Sequence, residues 1–118
     1  MTLVQADLEN KESLFAAIEG ADYVIHTASP FPLKKPKNEM ELINPAVNGT
    51  MSVMEACLAN KVKRVVITSS IAAVMASRPE NRPADWIFSE KNWSEPVGDH
   101  IDAYSKSKTL AEKAAWDF

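Results

Sequence analysis

The run Arg64-Val65-Val66-Ile67-Thr68 constrains the fold of this chain more than any other segment. It is continuous and rich in β-branched residues, which is typical of a parallel strand whose two faces are both covered. Parallel strands must be joined by crossover connections, which are usually helices. The run therefore predicts one strand of a parallel sheet, with helical segments connecting it to its neighbours.

Short apolar runs and helical patterns alternate along the chain. Strands are predicted at Leu3–Ala6, Tyr23–His26 and Arg64–Thr68. Three helices are predicted: from an Asn10 cap to Gly20, from about Glu39 to an Asn60 cap, and from about Asp102 to the end. Pro45 and Gly49 are expected to disturb the first part of the second helix. The proline-containing segments 28–38 and 71–99 are predicted to be mainly loops. This order of elements indicates an α/β fold with a parallel sheet and right-handed crossovers.

The predicted sheet is incomplete. The chain begins almost directly inside a strand and stops at Phe118, in or just after a helix. Three strands would leave both edges of the sheet open, and open edges of central-type strands are unfavourable. We therefore expect residues 1–118 to form a partial domain of marginal stability.

Composition and charge exclude several classes of function. The 13 basic and 16 acidic residues give a net charge of −3, so a concentrated positive surface for nucleic acid is not expected. No apolar run approaches the ~20 residues that span a bilayer, and we expect no membrane partner. Cys57 is the single cysteine, which leaves no internal disulfide and favours a reducing, cytoplasmic location. No metal site is expected, because the two histidines lie far apart in the sequence.

Tyr104 and Lys108 lie four residues apart in a predicted helix, so their side chains share one face. A nearby ammonium favours the ionised form of a phenol. Such a phenol can exchange a proton with a carbonyl or hydroxyl oxygen near neutral pH. The alternative is that both are ordinary surface residues of a polar helix.

Thr68-Ser69-Ser70 follows the strongest strand directly. Ligands of open α/β sheets bind outside the carboxyl ends of the strands, so a Ser70 hydroxyl could hydrogen-bond a substrate carbonyl together with the Tyr104 phenol. The alternative is that these residues simply end the strand and begin a turn. The combination of a serine-ended strand, a long loop and Tyr-x-x-x-Lys on a helix is more specific than either part.

Several stretches, in order over nearly the whole chain, resemble a known family. They are Ala6-Asp7-Leu8, Val24 to Pro30, Val47-Asn48-Gly49-Thr50, Lys63 to Val74, and Tyr104 to Lys108 continuing to Leu110-Ala111-Glu112. With these motifs the chain resembles the extended short-chain dehydrogenase/reductase family, within the NAD-dependent epimerase/dehydratase superfamily. The nearer resemblance is to the branch of dihydroflavonol reductase, cinnamoyl-CoA reductase and related aldehyde or ketone reductases.

The resemblance implies a role for each matching position. Ser70 would be the catalytic serine, Tyr104 the general acid/base, and Lys108 the residue that holds the nicotinamide ribose and favours the ionised phenol. The cofactor would be NADP, with NAD as the alternative. Asp7 and Leu8 would contact its adenine. Its ribose and pyrophosphate would be contacted by the turn residues Thr27, Ala28, Ser29 and Pro30. The glycine-rich phosphate turn of the family is not among these residues, so the isolated chain should bind dinucleotide weakly.

The implied fold is a partial Rossmann-type, doubly wound parallel sheet that lacks its first βαβ unit and the C-terminal substrate region. The implied function is that of an NAD(P)H-dependent oxidoreductase fragment that reduces a small ketone or aldehyde by hydride transfer. Met75 stands where the dihydroflavonol branch carries a polar residue, which favours an apolar carbonyl compound. The alternatives are a sugar-nucleotide epimerase or dehydratase, a hydroxysteroid dehydrogenase, or a non-catalytic dinucleotide-sensing module. The isolated chain is expected to be inactive.

Overall fold

The computed structural model describes residues 2–31, 34, 36–78, 80 and 83–118. The loop predictions at Pro32, Lys35 and Pro79 fall outside these residues. The helices and strands are α1 (Lys11–Ile18), β1 (Tyr23–His26), α2 (Met40–Ala59), β2 (Arg64–Ile67), α3 (Ala72–Met75) and α4 (Ala103–Asp117). The strands pair in parallel, with Tyr23 opposite Arg64 and His26 opposite Ile67. The predicted α/β class with a parallel sheet is therefore confirmed, and α2 is the crossover between its two strands.

The strand predicted at Leu3–Ala6 is wrong. This segment has no strand structure, and Leu3 and Val4 are 89% and 60% exposed. The first pairing of the chain is an isolated bridge between Asp7 and Asn10. A strand needs a neighbour to accept its backbone hydrogen bonds, and β-propensity reflects fit to a half-buried pleated surface. Residues 3–6 find neither in the part of the chain that the structure describes.

The sheet is covered on one face only, which corrects the prediction for β2. Val24 and Val65 pack against the core of α1 and α2, which consists of Leu14, Ile18, Val53, Ala56 and Cys57. On the opposite face Ile25 is 72% exposed and Val66 is 53% exposed. The apolar strand β2 therefore has one buried face and one exposed face, because the described helices α1 and α2 pack against one side of the sheet.

The predicted helix boundaries are confirmed by their caps. The Asn10 side chain accepts a hydrogen bond from the Ser13 amide at 3.0 Å and begins α1. The Asn60 amide nitrogen donates to the carbonyls of Phe15 and Ala56, at 3.3 and 2.9 Å, and so ties the end of α2 to α1. Gly20 follows α1 with a φ of 75°, a conformation that glycine adopts without a steric penalty.

Helix α2 runs without a break through Pro45 and Gly49, although these residues were expected to disturb it. Pro45 lies in the second turn, where it removes one backbone hydrogen bond. Gly49 is buried under Leu8, and a Cβ atom at Gly49 would lie 3.1 Å from the Leu8 Cβ. The glycine therefore brings the segment before α1 against α2 at the end of the sheet where β1 stops.

Helix α4 packs mainly on α2 and starts at a well-formed cap. The Asp102 carboxylate accepts hydrogen bonds from the Ser105 amide and the Ser105 hydroxyl, both at 2.9 Å. The Lys106 ammonium lies 2.6 Å from the Glu39 carboxylate at the start of α2. These contacts fix the first turns of α4, which carry the Tyr-x-x-x-Lys motif.

Candidate active site

Lys108 is the best anchored of the predicted site residues. It is only 7% exposed, and its ammonium donates a hydrogen bond to the Thr68 carbonyl oxygen at 3.2 Å. Thr68 in turn extends the sheet pairing, since its amide donates to the His26 carbonyl at 2.9 Å. Lys108 on α4 therefore lies at the carboxyl ends of both strands, where ligands of such sheets bind.

The electrostatic surroundings of Lys108 act in opposite directions. Burial lowers the pKa of the Lys108 ammonium, and the nearby Glu112 carboxylate raises it without cancelling the effect of burial. His26 is also 7% exposed, and its pKa is lowered first by burial and then by the positive charge of Lys108. The imidazole is therefore held neutral beside a cation, and the crevice carries one ammonium and one carboxylate.

The two serines after β2 point to different partners. The Ser69 hydroxyl donates a hydrogen bond to the Glu112 carboxylate on α4. The Ser70 hydroxyl accepts from the Ala72 amide at 3.2 Å and so begins α3. Within the described residues, no hydrogen bond joins the Ser70 hydroxyl to the Tyr104 phenol. In its contact with Ala72 the Ser70 oxygen only accepts, so its O–H can still donate to a carbonyl oxygen.

Tyr104 lies in the first turn of α4, one turn before Lys108, and is half-buried. Its ring meets the Phe31 ring edge-on, with 5.4 Å between centroids and an interplanar angle of 75°. Edge-to-face pairs of this kind are favourable and restrict the orientation of both rings. Phe31 therefore helps to place the phenol, a role that sequence reasoning missed although Phe31 directly follows the predicted cofactor turn.

Most of the residues predicted to hold the cofactor line one open cleft of about 510 Å³. This volume lies within the ~300–1,000 Å³ typical of ligand sites. The predicted residues in its lining are Asp7, Leu8, Ala28, Ser29 and Pro30, and they are joined by Ala6, Glu9 and Pro45. Thr27 is exposed and is not part of this lining.

Two of the cleft residues also lie beside the strand ends. Ala28 and Ser29 also line a narrow crevice with Lys108, His26 and Glu112. At the other end, the Asp7 carboxylate accepts a hydrogen bond from the Glu9 amide at 2.9 Å, which fixes it at the mouth of the cleft. The Asp7 carboxylate therefore lines the cleft and the Lys108 ammonium lines the crevice, and the two share the small residues Ala28 and Ser29.

Glu112 is the second site residue that sequence reasoning did not identify. It lies four residues after Lys108, and this spacing alone places both on the same face of α4. The signal was present in the sequence, but the partner at the strand end, Ser69, is contributed by the fold.

Two features are absent from the described part of the chain. It contains no group of three or more His, Cys, Asp or Glu residues arranged to hold a metal ion. Among the same residues, no helix combines the length and apolar character needed to span a bilayer.

Comparison with known proteins finds a matching family model and several similar reductases. The model of the 3-beta hydroxysteroid dehydrogenase/isomerase family matches residues 1–117. Anthocyanidin reductase ((2S)-flavan-3-ol-forming) from Vitis vinifera is 40% identical over 124 residues, covering 100% of this chain and 36% of that protein. Cinnamoyl-CoA reductase 1 from Arabidopsis thaliana is 41% identical over 119 residues, covering 99% of this chain and 33% of that protein.

A solved structure agrees with this assignment. Yeast methylglyoxal/isovaleraldehyde reductase complexed with NADPH superimposes with a TM-score of 0.76 at 34% identity, covering 94% of this chain and 36% of that one. The chain spans about a third of the length of the curated relatives it matches. The resemblance drawn from the sequence motifs is confirmed, and so is the assignment to a Rossmann-type fold.

Proposed function

We propose, because this chain belongs to the 3-beta hydroxysteroid dehydrogenase/isomerase family, that it is part of an NAD(P)H-dependent reductase acting on carbonyl compounds. The observation that carries the proposal is the buried Lys108 ammonium at the strand ends. It lines a crevice that shares Ala28 and Ser29 with the cleft of the predicted cofactor residues. A buried cation costs free energy unless it is compensated, so its retention in a cleft favours a functional role over a structural one.

The residues of the cleft fit part of a dinucleotide. The Asp7 carboxylate and Leu8 would face the adenine, and Ala28, Ser29 and Pro30 would lie along the ribose and pyrophosphate, where small side chains let the backbone approach closely. Thr27 belongs to the same turn by sequence but lies outside the cleft lining. When bound, the reduced nicotinamide supplies the hydride.

The chain's own groups would handle the proton. The Tyr104 phenol would donate it to the carbonyl oxygen during reduction, and the Lys108 ammonium would hold the ribose hydroxyls and place a positive charge one helical turn from the phenol. Ser70 would orient the carbonyl oxygen by donating its O–H to it, while the Ser70 oxygen still accepts from the Ala72 amide. The Phe31 ring would limit the rotation of Tyr104 during these steps.

NADP is the proposed cofactor, and the yeast reductase whose structure is similar was solved with NADPH. The proposed substrate is a small, rather apolar ketone or aldehyde, because Met75, which stands where the dihydroflavonol branch carries a polar residue, is 45% exposed at the end of α3. Oxidation of a hydroxysteroid is the second candidate, favoured by the family model that matches the chain. We propose a cytoplasmic location for the protein.

Binding and turnover test the proposal separately. NADPH added at millimolar concentration to the 15N-labelled chain should shift the amides of Leu8, Ala28 and Ser29 and leave those of α1 unchanged. Lys108→Met should remove these shifts at Ala28 and Ser29 and keep those at Leu8. Shifts confined to residues outside the cleft would contradict the cofactor site.

Turnover is tested together with the parts of the yeast reductase that this chain does not match. A chimaera in which the chain replaces the matching segment of the yeast reductase supplies them. Tyr104→Phe should lower kcat in this chimaera by at least ~100-fold, because proton transfer by a positioned group contributes about 10²–10⁴-fold. NADPH affinity should stay within about twofold. Unchanged kcat in the variant would exclude Tyr104 as the acid.

A further inference from the structure

We propose that Glu112 is a positioning residue of the reductase site, which fixes the Lys108 ammonium at the strand ends and keeps it charged. The inference deepens the proposed function and rests on it, since it concerns the residue assigned to the cofactor ribose. Within the described residues, no hydrogen bond joins the Glu112 carboxylate to Ser70 or to Tyr104. Glu112 therefore acts through Lys108 and Ser69.

The geometry supports this role through two neighbouring contacts. Lys108 and Glu112 lie one turn apart on α4, and they bind two consecutive residues after β2. The Lys108 ammonium donates to the Thr68 carbonyl at 3.2 Å, and the Glu112 carboxylate accepts from the Ser69 hydroxyl. The helix therefore holds the strand end at two adjacent points, and neither side chain can move along the cleft without breaking one of them.

The second carboxylate oxygen of Glu112 is also engaged. It accepts a hydrogen bond from the Trp116 indole nitrogen at 3.3 Å, one turn further along α4. Trp116 is 76% exposed, so this contact adds little burial of its own. Its effect is to orient the carboxylate, which then presents its other oxygen to Ser69 and its charge to Lys108.

The charges around Lys108 make Glu112 the compensating group. Burial lowers the pKa of Lys108, and Glu112 is the carboxylate that raises it. From β1, His26 faces the ammonium with its own pKa lowered, so it is neutral at pH 7 and cannot compensate a cation. From α2, Thr50 lines the same crevice with a neutral hydroxyl. Among the described groups of the crevice, only Glu112 supplies a negative charge.

Two substitutions distinguish a role of the Glu112 charge from a role of its hydrogen bond to Ser69. Glu112→Gln keeps the size of the side chain and an oxygen that can accept the Ser69 hydroxyl, but it removes the charge. Glu112→Asp keeps the charge and shortens the reach. If Glu112 acts by charge, Lys108 should be disturbed by Gln and largely preserved by Asp. A purely structural hydrogen bond to Ser69 predicts the opposite order.

The measurement is an NMR titration of the full 118-residue chain with 13C-labelled lysine. We expect the Lys108 side-chain signals in Glu112→Gln to titrate at lower pH than in the wild type, and those in Glu112→Asp to titrate close to the wild type. Glu39→Gln is the matched control variant, because it removes a carboxylate that pairs with Lys106 on the same helix, and it should leave the Lys108 signals unchanged.

The outcomes distinguish this inference from the proposed function. An unchanged Lys108 titration in Glu112→Gln would overturn the positioning role, and so would a larger change in Glu112→Asp than in Glu112→Gln. If Glu112→Gln does not fold, the Asp variant still decides, because a disturbed Lys108 there refutes the role of charge. NADPH mapping by amide shifts is read from the same samples. Loss of the NADPH shifts in the wild type would refute the proposed function and leave the Lys108 result standing.

Discussion

Ser94 is the residue whose substitution should most clearly reveal how the site is held together. It is 1% exposed, and its hydrogen bonds hold the loop before α4 against α3. Its hydroxyl donates to the Ala72 carbonyl at 2.6 Å and accepts from the Ala76 amide at 2.8 Å, while its own amide donates to the Ala73 carbonyl at 2.7 Å. Because Ser70 bonds the Ala72 amide, these contacts also fix the catalytic serine proposed here.

Ser94→Ala removes the two side-chain bonds and leaves two backbone groups without their partner. A buried group left unsatisfied costs about 1–3 kcal/mol, so the two together should lower the free energy of unfolding by about 2–4 kcal/mol after partial relaxation. Urea unfolding followed by circular dichroism measures this change. Hydrogen exchange should show faster exchange of the Ala76 amide in particular, since this amide loses its acceptor.

Ser89→Ala is the matched control. Ser89 is exposed in the same loop, and its hydroxyl makes only long contacts, at 3.5 Å to Asn92 and 3.4 Å from the Lys91 amide. The control should therefore change the stability by less than about 0.5 kcal/mol. The prediction is contradicted if Ser94→Ala is no more destabilising than Ser89→Ala and the Ala76 amide exchanges at the wild-type rate. The loop would then not hold α3 in place.

Two further predictions concern the helix caps. Asn10→Ala should destabilise the chain by about 0.5–2 kcal/mol by removing the acceptor of the Ser13 amide, whereas Asn10→Asp should restore most of this in the same urea titration. The second prediction concerns the Asp102 carboxyl. Burial raises its pKa, but hydrogen bonds from Ser105 and from neighbouring amides lower it by more, so the pKa of Asp102 lies below its ordinary value of 3.8. A carboxyl with a depressed folded-state pKa stabilises the fold above its unfolded pKa, and this contribution is lost as the pH falls through the folded value. The stability of the wild type should therefore fall more steeply on acidification below about pH 4 than that of Asp102→Asn, and parallel curves would contradict the assignment.

The local features of this chain could be read from its sequence because they depend on neighbours along the chain. The Asn10 and Asn60 caps, the strands at 23–26 and 64–67, and the last helix follow from capping chemistry and hydrophobic periodicity. The spacing of Tyr104 and Lys108 places both on one helix face for the same reason. The parallel pairing of the strands was predictable as well, since the connection between them carries a long helix.

The tertiary structure decided which of these features meet. Residues 3–6 have strand-forming side chains, but they form no strand because no described neighbour pairs with them. The two serines after β2 are equivalent in sequence, yet one binds Glu112 and the other begins α3. Phe31 and Tyr104 lie far apart along the chain and share an aromatic contact. Contacts of this kind depend on how elements distant in the sequence pack together. The packing free energy that favours them cannot be read from a short segment of the sequence.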